Sequence, residues 1–63
     1  MKLQYIYIKL DSDLNKALEI AQYVDAWAQL DAPSSSNRVI RVIDYHKVVY
    51  ALAVNGIHFS HYR

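Results

Sequence analysis

Residues 3–10, LQYIYIKL, alternate with period two: Leu3, Tyr5, Tyr7 and Lys9 lie on one side, Gln4, Ile6, Ile8 and Leu10 on the other. The alternation and the Tyr and Ile content predict a strand over about residues 2–10, with Ile6, Ile8 and Leu10 entering a core. The opposite side carries two tyrosines where a solvated face would carry Thr, Lys or Glu. Asp11-Ser12-Asp13 then offers a helix N-cap, with Asp13 in or near the first turn, where a carboxylate favours the helix dipole. From Leu14 to about Leu30 the period becomes helical. Leu14, Ala17, Leu18, Ala21, Val24 and Ala28 form one stripe with Ile20 on its flank, and Asn15, Glu19, Gln22, Ala26 and Gln29 lie opposite. Pro33 disfavours the α conformation at Ala32 and predicts the stop. Residues 34–37, SSSN, read as a loop.

The second half supports two readings. Apolar pairs at 39/40, 42/43, 49/50 and 52/53 suit a helix, whereas the many β-branched residues lose rotamer freedom there. Asn55-Gly56 between alternating segments is a strong hairpin signal, because a type I′ turn needs positive φ at both central residues. It favours strands at about 38–44, 47–54 and 57–62, with a tight turn at 44–46. In that register Val54, Leu52 and Tyr50 face Ile57, Phe59 and His61 under the helix, and Ile40 and Val42 join them if Arg41 points outward. The expected fold class is therefore α+β: a single domain, 1–63, of β-α-β-β-β order, with an antiparallel-rich four-stranded sheet and one helix on one face. The other face is left bare. It would carry Tyr5, Tyr7, Lys9, Val39, Arg41, Ile43, Tyr45, Ala51, Ala53, His58, Ser60 and Tyr62, an aromatic and mildly basic surface.

Composition sharpens this picture. A chain of 63 residues buries only roughly 60% of its unfolded surface, so its stability is marginal. There is no cysteine, which excludes disulfides, thiolate metal sites and cysteine nucleophiles and suits a reducing compartment. An apolar fraction of 54% argues against disorder, and a formal charge of +1 implies no strong field toward nucleic acid or anionic lipid. No segment reads as a signal peptide or a membrane span. The initiating Met predicts a complete small gene product, soluble and cytoplasmic.

Candidate chemistry is sparse. His58 and His61, three apart, fall on opposite sides of a strand, and no carboxylate completes a metal set with them or with His46. The serines cluster in a loop without a glycine elbow, and the single glycine leaves no phosphate-cradling loop. Paired carboxylates are lacking, since Asp11 and Asp13 read as caps. The residues imply no enzyme, no cofactor and no metal. Aromatics beside Arg and Lys on an open sheet fit either a protein contact, where Tyr and Arg are enriched, or base stacking by a single-strand binder. A bare face of that extent also suits a homodimer. Trp27 and Tyr23, with Leu30 nearby, form a second candidate: Trp27 is expected to complete the core along the sheet edge, the alternative being an anchor for a partner.

MKLQYIYIKL, the capped helix and the three short strands with VNG in the last hairpin resemble very small phage-encoded proteins that inhibit bacterial machinery. These include anti-CRISPR proteins of β-α-β-β-β build and phage inhibitors of host RNA polymerase. The resemblance spans the chain as topology and carries no residue-level motif. It implies a binder that blocks a bacterial host protein or ribonucleoprotein complex by occupying a surface. The near-neutral charge argues against a DNA mimic. The expected contact set is Tyr5, Tyr7, Lys9, Arg41, His58 and Tyr62, with single-stranded nucleic-acid binding through the same face, or a homodimeric adaptor, as the alternatives.

Overall fold

In the computed structural model, which describes residues 2–31 and 38–62, the order is β1 (Gln4–Ile8), α1 (Leu14–Val24), β2 (Gln29–Leu30), β3 (Val39–Val42), α2 (Tyr45–Val54) and β4 (Phe59–Tyr62). The sheet has four strands in the order β2-β3-β1-β4, and every neighbouring pair is antiparallel. The element order is that of the split β-α-β, or ferredoxin-like, plan. The α+β class and the four-stranded antiparallel sheet agree with the sequence pattern. The number of helices does not: among the described residues there are two, in a β-α-β-β-α-β order, rather than one.

The sequence explains the first half closely. Asp13 caps α1, its carboxylate accepting the Lys16 N–H at 3.2 Å. Ala17 and Ala21 are fully buried, and Leu14, Leu18, Ile20 and Val24 pack at the margins of the core. Small residues on the stripe let the helix backbone approach the sheet, while larger neighbours fill the space beside it. The helix ends at Val24, not near Leu30. Asp25 turns extended at φ −141° and takes three backbone donors on its carboxylate, and Gln29–Leu30, read as helix, form the edge strand β2. Such local carboxylate–backbone bonds compete with helix continuation. Pro33 and the loop at 34–37 lie outside the described residues.

The larger correction falls on residues 45–54. Tyr45, Val48, Val49 and Leu52 recur at i, i+3, i+4 and i+7, and this stripe packs on the core with Val48 and Leu52 fully buried. Asp44, read as part of a turn, is the N-cap, with Lys47 N–H at 3.5 Å from its carboxylate. Asn55-Gly56 closes this helix rather than a hairpin. Gly56 has φ +74° while Asn55 stays at φ −97°, so only one residue is left-handed. Gly56 N–H donates to Ala53 O at 3.1 Å and Ile57 N–H to Leu52 O at 3.0 Å, the paired bonds of a Schellman motif. Leu52 and Ile57, the two apolar positions that accompany that motif, both belong to the core. Consequently β4 pairs with β1 and not with residues 47–54. Ala51 and Ala53, expected on the bare sheet face, lie on α2, and Tyr50 and Val54 are exposed.

Alternation along the strands separates two sheet faces. Ile6, Ile8, Ile40 and Val42 are fully buried under the two helices, which pack against each other. Each such side chain contributes about 1.5–3 kcal/mol by leaving water. Leu10, expected in this core, is 81% exposed, because β1 ends at Ile8 and the chain turns before reaching it. Arg38 fastens that turn. Its guanidinium donates to Ile8 O and Lys9 O, both at 2.8 Å, and to Ser12 O at 2.6 Å. No helix among the described residues is long and apolar enough to cross a membrane.

Candidate binding surface

Strand register assembles one row across the whole sheet on the face turned away from the helices: Gln29 opposite Arg41, Arg41 opposite Tyr5, and Tyr5 opposite Tyr62. A second row runs Val39, Tyr7, Ser60. Tyr5, Tyr7, Arg41 and Tyr62 are all half-buried. Val39, in the same layer, is fully buried yet outside the core cluster. Four of the six residues expected to make contact thus stand together on one face.

The other two lie at its margin. Lys9 is exposed just past β1, where its N–H donates to His58 O at 2.9 Å. The His58 ring is turned to Asp11, Nδ1 to Oδ2 at 2.7 Å, and its backbone N–H donates to Ser12 Oγ at 2.8 Å. The hydrogen bond from His58 is the main reason the Asp11 carboxyl sits below its ordinary value. A cleft of about 600 Å³ runs along this corner between Lys9, Asp11, Gly56, His58 and Phe59. Ser12 Oγ accepts from the backbone of His58 and donates to Asp11, so this hydroxyl is engaged with the backbone and the carboxylate rather than with the imidazole. Tyr45, also expected on the open face, stands at the start of α2, edge-on to His46 and His61 at centroid distances of 5.7 and 5.3 Å. Among the described residues no three His, Asp or Glu side chains gather as a metal site.

Trp27 is the feature that sequence reasoning misplaced. It does not complete the core; it is 73% exposed, and Tyr23 on the outer surface of α1 is 91% exposed. Trp27 follows the premature end of α1 and lines a groove of about 510 Å³ together with Leu3, Gln22, Gln29, Arg41 and Ile43. The groove continues the tyrosine row, since Gln29 and Arg41 belong to both. The residue responsible is Asp25, 6% exposed. Its Oδ1 accepts the Trp27 N–H at 3.0 Å, and its Oδ2 accepts those of Ile43 and Asp44 at 2.8 and 3.0 Å. Burial alone would raise the Asp25 pKa; the N–H groups of Asp44, Ile43 and Trp27 outweigh it and hold the carboxyl below its ordinary value. A signal for this was present: an acidic residue four positions after Ala21, on the stripe otherwise reserved for apolar side chains.

No family model matches the chain, and neither a curated protein nor a solved structure matches it, so the surface itself carries the functional reading.

Proposed function

We propose that this chain is a small binding protein, not an enzyme, that works by laying the helix-free face of its sheet on another protein. The observation that carries this reading is the row Gln29–Arg41–Tyr5–Tyr62, which crosses all four strands on the face away from both helices. Tyr supplies broad contact area at low entropic cost, and Tyr and Arg are both enriched among the residues that dominate interface energetics. A sheet is a rigid support, so the row meets a partner without first being ordered. The biological role that the resemblance to small phage proteins implies is inhibition of a bacterial host protein or ribonucleoprotein complex in the cytoplasm. The one-helix topology on which that resemblance was drawn is replaced by two helices, so what supports this role is the tyrosine-rich first strand and the open face it helps to build.

The test is capture of partners from a bacterial lysate by the wild-type chain, Tyr5→Ala, Arg41→Ala and Tyr62→Ala. Loss of the partner in variants that melt like the wild type supports the reading; retention in all three sinks this face. The row also has the layout of a base-stacking platform, but Arg41 is its only cation, a thin electrostatic footprint for nucleic acid. Oligonucleotide binding that falls steeply with salt would favour that second reading. Light scattering across concentration tests the face-to-face homodimer.

A further inference from the structure

We propose that the groove between Trp27 and Ile43 is the specificity pocket of the binding face, and that it takes a segment of the partner protein bearing an Asp or Glu side chain beside a large apolar one. This rests on the reading that the face binds protein.

Three observations carry it. First, among the described residues Arg41 is the only charged side chain lining the groove, and it is half-buried with no side-chain hydrogen bond or ion pair. A guanidinium offers a planar fork that matches a carboxylate, and one flanked by apolar surface is incompletely hydrated. Second, its surroundings are apolar: Leu3 and Trp27 are 50% and 73% exposed, with Ile43 beside them. A carboxylate reaching Arg41 therefore brings its neighbouring side chain onto Leu3, Trp27 and Ile43. Third, the walls are already fixed. The Asp25 carboxylate holds the backbone of both Trp27 and Ile43, and Gln22 Nε2 donates to Ala28 O at 2.9 Å, tying α1 to the same turn. Exposed tryptophan on a rigid turn is an anchor rather than a frayed end.

The probe is an array of short peptides, acetylated and amidated so that no terminal carboxylate is present. Each carries one Asp or Glu and one Leu, Phe or Trp at varied spacing on a Gly-Ser background. Binding is read from amide chemical shifts of the protein. The expected result is that members with both groups bind and shift Leu3, Trp27, Gln29, Arg41 and Ile43. Replacing Glu by Gln in the peptide weakens binding about tenfold or more, as losing a hydrogen bond to a charged partner does. Arg41→Gln weakens it equally, and the two changes together cost no more than either alone. Arg41→Lys, keeping charge without the fork, falls between. The proposal is overturned if no member binds, if acid-free members bind as well, if the two losses simply add, or if the same residues shift only as the protein self-associates. Partner capture lost in Tyr5→Ala and Tyr62→Ala but indifferent to Arg41→Gln removes the pocket and leaves the face. Capture indifferent to all of them removes the face as well.

Discussion

The carboxylate of Asp25 accepts the backbone N–H of Asp44 at 3.0 Å, joining the residue that ends α1 to the residue that caps α2. Both oxygens of Asp25 are occupied, Oδ1 by Trp27 and Oδ2 by Ile43 and Asp44. Asp25→Ala leaves three donors without this acceptor and is expected to destabilise the fold by about 3 kcal/mol. Asp25→Asn is expected to be nearly as harmful, since its NH₂ must confront an N–H wherever it is placed. Urea unfolding of both variants checks this; an Asn variant close to wild type would show that one oxygen suffices.

Acid should weaken the fold through the same group. Its folded-state pKa lies below the ordinary Asp value, so its stabilising contribution is complete above that value and is lost as pH falls through the folded one. Wild-type stability is therefore expected to fall more steeply below about pH 4 than that of Asp25→Asn. Melting temperature against pH for the pair measures the difference, and parallel acid limbs would remove Asp25 from the account.

Gly56 provides a test of the second helix. A Cβ there meets nothing within 4 Å, but φ +74° is strained for any L side chain. Gly56→Ala is expected to cost about 1–2 kcal/mol through backbone strain alone. A neutral substitution, in a denaturant titration, would mean that residues 55–57 do not form this cap.

Trp27 is the chain's only tryptophan, so its fluorescence reports on one place. Its exposure predicts a red-shifted, water-like emission, readily quenched by acrylamide. Trp27→Ala should change stability by no more than about 0.5 kcal/mol, the range of surface substitutions. A blue-shifted emission, or a large loss of stability, would return the indole to the core.

Much of this architecture was legible where a single physical rule acted alone. Alternation placed Ile6 and Ile8 inside and Tyr5 and Tyr7 outside, and the Leu14–Val24 stripe marked α1. Arg41 reached the open face because its parity follows from the buried Ile40 and Val42 on either side. Residues 45–54 failed where rules compete. Val48 and Val49 carry β propensity, yet their spacing from Tyr45 and Leu52 is helical, and tertiary packing follows spacing. Asn-Gly misled because left-handed glycine serves a type I′ turn and a helix end alike. What separates the two is upstream: Asp44 as a cap makes the glycine a terminator. Trp27 was misplaced for one reason, that the helix was carried through Asp25 instead of ending on it.

The antiparallel pairing of β1 with both β3 and β4 also governs how the protein is assembled. Both partners of the first strand lie in the second half of the chain. Each pairing must close a long loop before any sheet contact compensates for it, so folding is limited by distant encounters rather than by local turns. The helices, whose bonds are local, are the parts able to form early, and β1 waits with Ile6 and Ile8 uncovered. An unpaired, tyrosine-rich strand with two isoleucines is a template for association between chains. The segment that later places Tyr5 and Tyr7 on the open face of the sheet is thus the one most exposed to misassembly while the molecule is incomplete.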